Sequence, residues 1–64
     1  MNYCKFFRDY SGRTIKVTMT NGEIFVGKLV GYVSADDNEP DPESILIDYT
    51  ELFTNEIDDV CILK

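Results

Sequence analysis

Apolar positions change their spacing twice along this 64-residue chain, and each change marks a new element. Tyr3, Phe6, Phe7 and Tyr10 fall at i, i+3, i+4 and i+7, one stripe of a helix. The spacing predicts a short helix within residues 1–11, laid over one end of a core. Ser11-Gly12 ends it, because glycine adopts the left-handed conformation that follows many helix termini. From Thr14 the period becomes two, with Ile15, Val17 and Met19 on one face and Thr14, Lys16, Thr18 and Thr20 on the other. That is a half-buried strand. Asn21-Gly22 follows at once, a pair favoured where both central turn positions take positive φ, so the chain is predicted to reverse in a tight hairpin. The return strand, from Glu23 to about Val33, is apolar on both faces: Phe25, Leu29 and Val33 on one, Ile24, Val26, Val30 and Tyr32 on the other. Gly27 and Gly31 interrupt it, and glycine inside a strand marks a bend or a close backbone approach. The sheet is therefore expected to curl.

The pattern then lapses. Residues 34–43 read SADDNEPDPE, with five acids, two prolines and no large apolar side chain, the composition of a solvated loop. Its spacing does not match a calcium-binding DxDxDG loop. Three short apolar segments finish the chain within residues 44–64: Ile45 to Tyr49, Leu52 to Thr54 and Ile57 to Leu63. Adjacent apolar residues at Leu52-Phe53 and Cys61-Ile62-Leu63 place hydrophobic side chains on both faces of the last strands. An edge of that kind invites pairing with another copy.

Length sharpens this expectation. A domain of this size buries only about 60% of the surface its unfolded chain exposes, and small domains offset the deficit with disulfides, metals or self-association. Cys4 and Cys61 lie near opposite ends without CxxC spacing, histidine is absent, and no secretory segment is recognisable. The expectation is a reduced cytoplasmic protein whose cysteines are small apolar core residues. No apolar run approaches the roughly 20 residues a membrane helix needs.

The net charge of −6 is unevenly spread. Residues 1–33 carry five basic side chains against two acidic ones, whereas residues 34–64 carry ten acidic ones against Lys64 alone. Nucleic-acid affinity rests largely on basic groups that displace phosphate counterions, so any such site must be local. Lys5, Arg8, Arg13, Lys16 and Lys28 are the candidate phosphate contacts. Catalytic chemistry has few ingredients. Without histidine a cysteine nucleophile lacks its commonest base, Asp36-Asp37 falls in the acidic loop, and the neighbours Asp58-Asp59 face opposite ways on a strand. The glycines are not followed by a helix and form no phosphate-cradling loop. No cofactor, metal site or enzymatic activity is expected.

The stretch Ser11 to Tyr32, SGRTIKVTMTNGEIFVGKLVGY, resembles the first sequence motif of the Sm and Sm-like family. Gly12 matches the glycine before the first strand, Val17 and Met19 its inward alternation, Asn21-Gly22 the turn, and Phe25, Gly27, Leu29 and Tyr32 the pattern F-x-G-x-L-x-x-aromatic. The resemblance implies a mainly β fold over residues 1–64: an N-terminal helix, then a strongly bent, five-stranded antiparallel barrel of the SH3-like kind. It also implies rings that pair the fourth strand of one subunit with the fifth of the next, for which Leu52, Phe53, Cys61, Ile62 and Leu63 supply the apolar edges. In the family's RNA pocket an aspartate and a Met-Asn pair follow the second strand, and a cationic residue precedes the last. Here those places fall on Val33, Asp36, Asp37, Thr54 and Asn55, so the cation is missing and Asp37 brings negative charge. Tyr32, Asp37, Thr54 and Asn55 are the candidate ligand rim, with Tyr32 as a stacking surface. Two functions are thus expected: a non-catalytic homo-oligomeric scaffold for protein interaction or regulation, or a divergent single-stranded RNA binder that uses the basic first half.

Overall fold

In the computed structural model, which describes residues Met1–Lys64, helix α1 (Tyr3–Tyr10) precedes strands β1 (Thr14–Met19), β2 (Ile24–Val33), β3 (Ser44–Ile47), β4 (Thr50–Phe53) and β5 (Ile57–Ile62). A 3₁₀ turn, Thr54–Glu56, joins the last two strands. The helix starts where Asn2 accepts a hydrogen bond from the Lys5 amide at 3.0 Å, satisfying one of the donors left free at a helix start. It ends at Gly12, whose φ of 84° is left-handed and whose amide donates to the Leu29 carbonyl at 2.7 Å. That bond fixes the helix to β2, and Tyr3, Phe6 and Phe7 pack against the core. Tyr10, the fourth member of the stripe, is exposed and lies between the Phe6 ring and the Arg13 guanidinium.

The hairpin forms where the Asn-Gly pair predicts it, with a different turn. Gly22 takes a φ of 92°, whereas Asn21 is not in the positive region. Met19 exchanges hydrogen bonds with Gly22 and Glu23 across a three-residue loop, which leaves only the last position left-handed. Asn21 stays useful through its side chain, whose Oδ1 accepts from the Glu23 amide at 3.0 Å and whose Nδ2 donates to the Glu23 carboxylate at 2.7 Å.

β2 bends at Val30, where the register against β3 jumps from Leu29 opposite Ile47 to Gly31 opposite Leu46. The extra residue switches the alternation, so Leu29 and Tyr32 both face inward while Ile24, Val26 and Val30 face out. This corrects the sequence-based grouping, which put Tyr32 on one face with Ile24, Val26 and Val30. Gly31 lies under the Leu46 side chain, and Gly27 lies against Ile47 and Asp48. At Gly27 these side chains come closer than a Cβ would permit, whereas at Gly31 the close atom is the flexible end of Leu46.

The strand order is β4-β3-β2-β1-β5, antiparallel throughout. β4 and β5 are the two ends and do not pair, so the sheet is curled but not closed within one chain. Its concave side holds Ile15, Val17, Leu29, Ile45, Ile47 and Leu52, and only 7 of the 64 residues are buried, a small core for one domain. Two other expectations change. Cys4 and Cys61 are free and exposed rather than core residues: Cys61 pairs across from Lys16 on the outer face, because Val60 and Ile62 take the inward positions of β5. Tyr49, predicted to end a strand, sits fully exposed in the β3–β4 turn beside Asp48, whose φ is 51°. No helix is long and apolar enough to cross a membrane.

Candidate interaction surfaces

Two of the four rim residues meet around a carboxylate that sequence reasoning passed over. Glu43 ends the acidic loop and is half-buried. One of its carboxylate oxygens accepts from the Tyr32 hydroxyl, and the other accepts from Thr54 Oγ1 at 2.9 Å. The Thr54 amide also donates to the Glu43 carbonyl at 2.9 Å, extending the β3–β4 ladder by one pair. The hydrogen bond to the carboxylate, followed by burial and the nearby negative charge, pushes the Tyr32 phenol up to about 12. Tyr3 is also raised above its ordinary value, mainly by burial, with Glu43 and Asp59 adding to it. Phe7 stacks on Tyr32, with centroids 6.4 Å apart and planes 22° from parallel. The aromatic face is thus covered by the helix and the hydroxyl is engaged. Asp37 and Asn55 are exposed and make no hydrogen bond to this cluster: the Asp37 amide donates to Ser34 Oγ at 3.3 Å, within its own loop. The signal for Glu43 was available in the alternation, since positions 43, 45 and 47 share one face and the last two are core residues.

The basic residues are spread over the helix, the link after it and the first two strands. Lys5 and Arg8 are exposed on α1, and Arg13 is held between the Tyr10 ring and the Lys64 carbonyl. Lys16 and Lys28 are diagonal neighbours on the outer face of β1 and β2, because Lys16 pairs with Val26 and Thr14 with Lys28. Ile24, Val26 and Val30, each about half exposed, share that face.

The apolar edge residues divide. Leu52 is 4% exposed and belongs to the core, whereas Phe53 and Ile62 are half-buried and Cys61 and Leu63 are exposed. A pocket of about 220 Å³ opens beside β4. Met19, Phe25, Leu52 and Phe53 are its apolar lining residues, Thr20 and Asn21 its neutral polar ones and Glu23, Glu51 and Glu56 its acidic ones, with no basic residue among its walls. Glu51 is fixed by the acidic loop's own folding: its Oε2 accepts from Ser44 Oγ at 2.7 Å and from Asn38 Nδ2 at 3.4 Å. Ser44 is fully buried, so the carboxylate also satisfies a hydroxyl that has no access to water. Glu23 lies far in sequence from Glu51 and Glu56, and only the fold brings it to the same pocket.

No family model matches the chain, and neither does any curated protein or solved structure.

Proposed function

We propose that this chain is a non-catalytic interaction module of Sm-like architecture, which takes strands from other protein chains at its open edges. The carrying observation is the unclosed sheet, whose end strands β4 and β5 each have a paired side and a free side. Free edges that carry Phe53, Ile62 and Leu63 are sites for strand addition. The Sm-like reading is supported by the element order and by the bend of β2 at its glycine-marked segment. Edge pairing between copies, β4 to β5, would complete the curled sheet and enlarge a small core by homo-oligomerisation. Two exposed free cysteines fit a reducing compartment such as the cytoplasm. Sedimentation velocity over micromolar concentrations at low and high chloride tests the self-association. Assembly at high chloride is the expected result, and a monomer under every condition removes the homo-oligomer from this reading.

A second reading, single-stranded RNA binding, is favoured by Lys16 and Lys28 standing together on an exposed face that also carries apolar side chains. In that reading RNA contacts the outer face of β1–β2, and Tyr32, Asp37, Thr54 and Asn55 take no part. Titration of uridine-rich and adenine-rich single strands at low salt decides it: absence of binding ends the RNA reading, and binding that Lys16→Glu with Lys28→Glu abolishes sustains it.

A further inference from the structure

We infer that the pocket beside β4 is a receptor for a lysine or arginine side chain carried by an extended segment of a partner protein, added as a strand along β4. The inference rests on the edge-pairing reading above and names the chemistry of the partner.

Backbone geometry provides the first half of the site. The Thr54 amide bonds to the Glu43 carbonyl, so in the alternating antiparallel ladder Leu52 and Ile45 form the next hydrogen-bonded pair. Glu51 and Phe53 are then the non-hydrogen-bonded positions, and their N–H and C=O groups point away from β3 toward the free side. These two residues also line the pocket. An incoming strand therefore finds main-chain donors and acceptors beside a cavity for one of its side chains.

Charge provides the second half. The apolar lining of Met19, Phe25, Leu52 and Phe53 suits the methylene stem of a long side chain, while the acidic wall of Glu23 and Glu56, with Glu51 held beside it by Ser44 and Asn38, suits a cationic head. An acidic side chain would meet this acidic wall without a counter-charge, and a neutral polar one would gain no charge attraction. The chain's own β5 is a poor occupant on the same grounds. Antiparallel addition of a second copy brings the start of its β5 alongside Phe53, and that start carries the exposed Asp58 and Asp59. Its one nearby cation, Lys64, falls toward the opposite end of β4. Like charges across a strand pair are destabilising.

The test uses the full chain and two synthetic peptides of about ten residues, a usual strand length. One alternates valine with lysine and the other alternates valine with glutamate. Amide exchange and backbone chemical shifts of Glu51 and Phe53 report pairing at β4 at moderate salt. The lysine peptide is expected to protect both amides and the glutamate peptide to protect neither. Glu23→Gln with Glu56→Gln should weaken the lysine peptide about tenfold, whereas Asp36→Asn with Asp37→Asn, which removes the same charge from the acidic loop, should leave affinity unchanged. Equal weakening by the two variants means attraction to net charge alone and overturns the inference. Equal protection by the two peptides overturns it too, while leaving β4 a docking edge. Protection of Glu51 and Phe53 without peptide at low salt means that a second copy is the occupant, which again overturns it. Failure of both peptides, with exchange at β4 open under all conditions, overturns both the inference and the edge-pairing reading.

Discussion

Glu43 does for this protein what a longer core would do, by tying three separate stretches of chain together through one carboxylate. Tyr32 comes from β2, Thr54 from the start of the 3₁₀ turn, and the glutamate itself closes the acidic loop. Tyr32→Phe deletes one donor to a charged acceptor and is expected to cost about 1–3 kcal/mol in urea unfolding. The pH dependence follows from the raised phenol. A tyrosine whose folded pKa stands at about 12, above the ordinary 10, contributes its stabilisation in full below pH 10 and loses it as pH rises from 10 to 12. Stability should therefore fall across that window in the parent chain. In Tyr32→Phe the fall should be shallower, with the part contributed by Tyr3 remaining, because that group is raised in the same direction. Phenolate absorbance followed alongside far-ultraviolet circular dichroism checks both. Glycines give a second prediction at this scale. A methyl group on Gly27 would meet Ile47 Cγ2 at 2.6 Å and also the Asp48 carboxylate, whereas on Gly31 it would meet the end of the flexible Leu46 side chain at 2.7 Å. Gly27→Ala is expected to cost about 1–3 kcal/mol, and Gly31→Ala less, as read from thermal melting of the two variants.

At the scale of elements, the extra residue in β2 decides which side chains the core receives. With Val30 in place, Leu29 and Tyr32 are both inward although they are three positions apart. Deleting Val30 restores strict alternation and must expel one of them, so the variant is expected to be unfolded at room temperature by circular dichroism. Val30→Thr keeps the residue count and changes only an exposed side chain, and should stay within about 0.5 kcal/mol of the parent. The contrast shows why the fold was only partly legible. Period and turn chemistry identify the helix, the hairpin and the bend of β2, because each depends on residues near in sequence. The position of the bulge does not emerge from them, since valine fits a regular strand equally well and only pairing with β3 selects the extra residue. The hairpin likewise forms at Asn21-Gly22, but that pair serves several turns and its three-residue form depends on the register of β1 and β2. The two cysteines were misassigned by composition. Alternation from Val60 and Ile62 would have placed Cys61 outward. The pocket was not legible at all, because Glu23 reaches Glu51 and Glu56 only through the folding of distant segments.

For the whole molecule, charge and exposed edge pull against each other. A sheet that ends in β4 and β5 gains by pairing, yet the acidic residues concentrate in the second half of the chain, which supplies both of those strands. Glu51 and Glu56 near one edge would face Asp58 and Asp59 of another copy, a repulsion that acts through solvent and is screened by salt. The Debye length falls from about 10 Å at 0.1 M to about 3 Å at 1 M salt, which spans the separations across an added strand. Self-association should therefore strengthen as chloride rises over this range, the reverse of an interface held by ion pairs. Binding of a lysine-bearing strand should weaken over the same range, since its selectivity comes from the carboxylates of the pocket. Measuring both on one preparation, sedimentation for the copies and peptide titration for the strand, gives slopes of opposite sign if the edge is shared and charge decides its occupant. Two slopes of the same sign would mean that the copies do not meet through β4 and β5, and that the surface which joins them lies elsewhere, with Ile24, Val26 and Val30 on the outer face of β2 the next to test by substitution with serine.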